Sequence, residues 1–144
     1  PSDPNENWDI EKVGSIEPDM LVSVALADIN GDGYQDIFSG SYSLGSRDKD
    51  DTNDANRSYG SVVWFENTID SWKKNNILRR KRGMYDKWIP VDLDDDNDID
   101  FIGTRGNSEP YDGVLWLEQL RSDNSETVFF PARLIDSESV PFDD

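Results

Sequence analysis

This sequence predicts an all-β fold built from an internal repeat: a β-propeller segment of two four-stranded antiparallel blades plus flanking strands, with a β-sandwich as the alternative. Three observations predict it. Two nine-residue acidic loops, 28–36 and 92–100, recur at a shift of 64 residues, and each is flanked by short β-type runs rather than helices. The run GSVVWFEN (Gly60–Asn67) recurs as GVLWLEQ (Gly113–Gln119). These runs are apolar at consecutive positions, so both of their faces seek burial: Val62 and Trp64 point one way, Val63 and Phe65 the other. Short antiparallel strands stacked face to face, four to a repeat, make a propeller blade.

The first loop, Asp28-Ile29-Asn30-Gly31-Asp32-Gly33-Tyr34-Gln35-Asp36, puts oxygen-bearing side chains at positions one, three, five and nine: Asp28, Asn30, Asp32 and Asp36. A hard cation such as Ca²⁺ takes about six to eight oxygens, and alternating ligands with spacers in a tight loop supplies them. Position seven, Tyr34, is expected to give its backbone carbonyl. Gly33 stands at position six, where the turn is sharpest and a positive φ costs a glycine least. An EF-hand would place Glu at position twelve, but Ser39 stands there and the flanks read as strands. The second loop, Asp92-Leu93-Asp94-Asp95-Asp96-Asn97-Asp98-Ile99-Asp100, repeats the pattern with Asp92, Asp94, Asp96 and Asp100, and with Asp98 at position seven. Two Ca²⁺ ions are expected, one per loop, in a structural role: each pins a hairpin whose clustered carboxylates repel one another.

Taken in order, residues 1–7 are a polar lead-in and 8–80 a first repeat. Residues 81–127 are a second repeat, and 128–144 begin a third and end in a tail. Trp8–Val13 is expected as a leading outer strand, Leu21–Ala27 as the strand entering the first loop and Asp36–Gly40 as the strand leaving it. Ser41–Tyr59 is long, polar and acidic, a surface loop. Ser61–Glu66 and Trp72–Leu78 follow as strands. The second repeat runs Asp86–Val91, loop, Asp100–Thr104 and Gly113–Glu118. Trp64 maps onto Trp116 at a shift of 52, so twelve extra residues lie in the Ser41–Tyr59 loop. Val128–Ile135 is expected to open a third unit.

Composition bounds the function. The chain has 144 residues, a net charge of −17, no Cys and no His. So acidic a surface repels nucleic acid and anionic membranes and attracts cations. Two Ca²⁺ would bring the formal charge from −17 to −13. Without Cys or His there is no disulfide, no His-ligated zinc and no histidine base. No apolar run reaches transmembrane length and no signal-peptide pattern opens the chain. No nucleophile stands beside a base and no Gly-rich phosphate cradle is present, so no catalytic residue is assigned.

The segments VALADINGDGYQDIF (Val24–Phe38) and IPVDLDDDNDIDFIG (Ile89–Gly103), with the two Trp-containing strands, resemble the FG-GAP/VCBS repeat family, calcium-binding β-propellers that include the integrin α-subunit head. Trp72–Ile77 is similar to the Trp-x4-Ile element seen between such repeats. The resemblance spans residues 8–135. It implies that each acidic loop joins the innermost strand of a blade to the second, in rings of about seven blades. It also implies an extracellular or cell-surface setting, with roles in adhesion, carbohydrate binding or support of a polysaccharide-active enzyme. Asp95 for Gly31, Asn97 for Gly33 and Gln119 for Asn67 are the departures between the two units.

Blander readings stand beside these. Trp64, Trp116, Trp8 and Trp72 read as core rather than as sugar-stacking platforms. The run Arg79-Arg80-Lys81-Arg82 reads as a solvated loop, with a processing site or a contact for an acidic partner as alternatives. Asn56-Arg57-Ser58 fits an N-glycosylation acceptor. The function expected is a calcium-stabilised binding or assembly module. Its alternatives are the non-catalytic propeller domain of a sugar-active enzyme, or a small lectin whose chains form a ring. The loops at the end opposite the calcium loops are expected to carry any contact with a carbohydrate or protein ligand. Two blades alone would leave two sheet faces bare, the Val62/Trp64 side on one and the Leu115/Leu117 side on the other. Packing against other chains or further blades is therefore expected.

Overall fold

Strands bury residues on alternate sides, and the consecutive apolar residues of Val62–Phe65 therefore need neighbours on both. The computed structural model, which describes residues 3, 7–43, 59–81, 85–105, 113–121 and 127–134, supplies them. Among the described residues eight strands run in order: β1 (Asp19–Ala27), β2 (Asp36–Ser43), β3 (Tyr59–Asn67), β4 (Trp72–Lys81), β5 (Tyr85–Val91), β6 (Asp100–Arg105), β7 (Gly113–Arg121) and β8 (Thr127–Leu134). They form two four-stranded antiparallel sheets, β1-β2-β3-β4 and β5-β6-β7-β8. The architecture is all-β, two propeller-like blades. No helix among the described residues is long and apolar enough to cross a membrane.

Register sorts the side chains into faces. In the first sheet Ile37 pairs with Phe65 and Phe38 with Trp64; in the second Phe101 pairs with Leu117 and Ile102 with Trp116. The Phe38/Trp64 face of the first sheet meets the Phe101/Leu117 face of the second. Phe38 stacks on Phe101 with ring centroids 3.6 Å apart and planes 9° from parallel. Trp88 meets Phe38 edge-on at 5.2 Å. Its ring lies so near Gly103 that a β-carbon there would come within 2.2 Å of it. One cluster runs through this seam and includes Ile29, Val62, Trp64, Leu115 and Leu117. The Ser23 hydroxyl donates across it to the Tyr85 carbonyl at 2.9 Å.

The faces expected to be bare are thus the buried ones. Val62/Trp64 and Leu115/Leu117 meet each other, and the outer faces are the opposite two. The period-two pattern sorts residues into sides, but it does not say which side of one blade turns toward the next. On the first sheet Val63, Phe65 and Ile37 are covered by Val13 and Ile16, while Leu21, Val24 and Leu26 stay more than half exposed. On the second, Ile89 and Val114 are exposed, and Trp116 is only partly covered where Trp64 is buried.

Two expected strands are corrected. Trp8–Val13 is not a strand; Trp8 and Ile10 are exposed, and residues 13–16 lie over the face of the first sheet. A segment lying on a sheet face has no ladder to enter, so alternation alone does not make it a strand. It is tied down by the Trp72 indole donating to Glu11 at 3.0 Å and the Lys74 ammonium donating to the Ser15 carbonyl at 2.8 Å. Thr127–Leu134 pairs with β7 and closes the second sheet rather than opening a third unit. It takes the place that β4, with Trp72, takes in the first. Arg79 likewise belongs to β4 and not to a solvated loop. Its guanidinium donates to both carboxylate oxygens of buried Asp19, at 2.9 and 3.0 Å, and lies over the Tyr59 ring. The Ser61 hydroxyl donates to the same carboxylate.

Candidate metal centres

The acidic loops join β1 to β2 and β5 to β6. Each is folded by its own carboxylates. In the first, the Gly33 amide donates to Asp28 at 2.9 Å and the Tyr34 amide to Asp32 at 2.9 Å. The Asp32 amide is shared between Asp28 Oδ1 at 3.0 Å and Asn30 Oδ1 at 3.1 Å. In the second, the Asn97 amide donates to Asp92 at 3.2 Å and the Asp98 amide to Asp96 at 3.0 Å. Positions four and six are left-handed in both: Gly31 (φ 74°) and Gly33 (91°), Asp95 (62°) and Asn97 (69°). Glycine adopts this conformation freely, and Asn and Asp are the residues that next best tolerate it. The departures at Asp95 and Asn97 therefore keep the loop's path.

Position nine does a second job. One oxygen of Asp36 accepts the Ile29 amide at 3.1 Å and the other the Asn67 amide at 2.8 Å. Asp100 repeats this with Leu93 at 3.2 Å and Gln119 at 2.8 Å. Each carboxylate ties its loop to the strand β3 or β7 and has almost no exposed surface. Burial pushes the Asp36 carboxyl up, against the hydrogen bonds from Asn67, Ile29 and the Trp64 indole that favour its charged form.

In the second loop Asp92, Asp94 and Asp96 each place a carboxylate oxygen within 4.8 Å of the others. Desolvation, and then the charges of Asp96 and Asp100, push the Asp94 carboxyl up. Asp92 Oδ1 is buried without a hydrogen-bond partner. A hard-oxygen donor set, mutual repulsion and an orphaned acceptor fit a divalent cation. In the first loop the corresponding oxygens of Asp28 and Asn30 converge on one amide, while the Asn30 side chain donates to Asp32 at 2.9 Å. Tyr34 is exposed and Asp98, its counterpart, is buried.

Sequence reasoning missed several functional neighbours. Glu66 accepts from Lys73 at 2.8 Å and Asn75 at 3.2 Å, beside Asn30. Burial pushes its carboxyl up, but these hydrogen bonds together hold it below the usual range. The Gln119 side chain donates across the seam to the Ile29 carbonyl at 3.0 Å. The alignment of Asn67 with Gln119 was the one available signal. Most of the Ser41–Tyr59 loop with Asn56, Arg82 and most of Arg105–Tyr111 lie outside the described residues.

Residues 20–60 match the family model described as FG-GAP repeat, which covers β1 from Met20, the first acidic loop, β2 and the start of β3. Over those residues the chain is similar to an FG-GAP repeat. No curated protein and no solved structure matches it.

Proposed function

We propose that this FG-GAP-repeat chain is a calcium-stabilised propeller segment that serves as an extracellular binding or assembly module. The observation carrying this reading is the second loop, where the carboxylates of Asp92, Asp94 and Asp96 gather and one buried oxygen of Asp92 has no hydrogen-bond partner. The first loop supports it by repeating the same backbone plan and the same two left-handed positions. Asp28, Asn30, Asp32, Asp36 and the Tyr34 carbonyl would hold one ion. Asp92, Asp94, Asp96, Asp100 and position seven, Asp98, would hold the other. The ion supplies positive charge that relieves carboxylate repulsion, and no chemical step is assigned to it. Asp36 and Asp100 act from the protein side, locking each loop to its sheet through backbone amides.

The exposed apolar residues left on the outer faces, Leu21, Val24 and Leu26 on one sheet and Ile89 and Val114 on the other, support assembly with further blades or other chains, and the acidic surface makes nucleic acid and membrane insertion poor alternatives. A carbohydrate or protein ligand would meet the loops at the end opposite the calcium sites. Isothermal titration calorimetry tests the metal reading. Two Ca²⁺ sites are expected, and Asp32→Ala and Asp96→Ala are each expected to remove one. Mg²⁺, which dehydrates reluctantly and demands octahedral geometry, should bind more weakly. Heats indistinguishable from dilution would overturn the proposal.

A further inference from the structure

Gln119 and Asn67 occupy equivalent places, and their backbone amides do the same work: each donates to the position-nine aspartate of its own loop at 2.8 Å. Their side chains do not. The Asn67 amide nitrogen reaches only to the Gln35 carbonyl of its own blade, at 3.4 Å. Gln119 is one methylene longer and fully buried, and it crosses the seam to the Ile29 carbonyl, 90 residues away.

Ile29 is the spacer between the first two oxygen ligands of the first loop. Every group it has is held. Its amide donates to Asp36, its carbonyl accepts from Gln119, and its side chain is completely buried in the inter-blade cluster. The peptide whose carbonyl Gln119 grips is the one that carries the Asn30 nitrogen. Leu93, the matching spacer of the second loop, is 41% exposed and lies outside that cluster.

We infer that Gln119 is a positioning residue for the first calcium loop: blade two pre-orders blade one's metal site through the Ile29 carbonyl. This rests on the calcium reading of that loop. Pre-ordering removes motion that the ion would otherwise have to arrest, so it raises affinity without adding a ligand. By linkage, calcium in the first loop tightens the seam by the same factor. Among the described residues no such contact reaches the second loop's spacer Leu93, and the two sites should differ for that reason.

The test uses the full chain with one loop silenced at a time. In the Asp96→Ala background, where only the first loop can bind, Gln119→Met keeps the bulk of the side chain and removes its donor. Calorimetry should then show calcium binding about three- to tenfold weaker, the worth of one net hydrogen bond. In the Asp32→Ala background, where only the second loop can bind, the same substitution keeps the Gln119 backbone amide that holds Asp100, so affinity should fall by much less than at the first loop. A merely structural role for Gln119 would weaken both loops alike and would overturn the inference. So would first-loop affinity unchanged by Gln119→Met, with the calcium reading intact. Absence of first-loop binding in the Asp96→Ala parent would overturn the calcium reading itself, and this inference with it. If Gln119→Met does not fold, the native chain still decides. The Gln119 side-chain amide resonance should shift in step with occupancy of the first loop, and should not shift in the Asp28→Ala variant. A resonance unmoved by calcium overturns the inference.

Discussion

Arg79→Met is expected to destabilise the first blade by about 3–5 kcal/mol, the cost of leaving a buried charge without its partner. The Asp19 side chain has no exposed surface, whereas that of Arg79 is 42% exposed. The arginine could find water if its partner were lost; the carboxylate could not. Solvent around Arg79 screens part of the attraction and draws the expected value toward the lower end of the range. Among the described residues, Ser61 would remain to satisfy Asp19. The double variant Arg79→Met, Asp19→Leu removes both charges and should recover most of the loss, because an apolar pair in the same volume leaves nothing unsatisfied. Urea denaturation of the three chains measures this. A single-variant loss under about 1 kcal/mol would mark the pair as an ordinary surface bridge.

Removing calcium is expected to have an effect of similar size. A site held at about 100 times its dissociation constant stabilises the folded state by about 2.7 kcal/mol, so two sites contribute about 5. At about 2–4 °C per kcal/mol for a chain of this size, chelation should lower the melting temperature by about 10–20 °C. Restored Ca²⁺ should reverse it. Acid should act in the same direction. With Asp94 raised, its share of the affinity is present above its folded-state pKa and is lost as pH falls through that value, earlier than for an ordinary aspartate. A melt unmoved by chelator would contradict this.

Much of the fold was legible because local pattern decided it. The acidic loops are marked by turn residues and alternating oxygen ligands, and β3 with its counterpart β7 by consecutive apolar residues; these signals are local. What was not legible depended on contacts distant in sequence. Trp8 and Ile10 alternate like a strand, yet no described residue pairs with them, and a strand is made by its partner. Arg79 sits in a basic run that reads as solvated; its partner Asp19 lies 60 residues away. The two faces of β3 were sorted correctly, but which face meets the second blade follows from how the sheets stack. In the acidic loops the oxygen-bearing positions were plain. The bracing done by Asp36 and Asp100 was not, because it runs to amides on β3 and β7 that no loop motif includes.

The most direct test of the central claim, that both acidic loops hold calcium, is anomalous diffraction from crystals grown with Ca²⁺. One anomalous peak is expected in each loop. The first should lie about 2.3–2.6 Å from oxygens of Asp28, Asn30 and Asp32, and the second at the same distance from Asp92, Asp94 and Asp96. Loops that keep their path with no anomalous density in either, at calcium concentrations that saturate ordinary oxygen sites, would contradict the account.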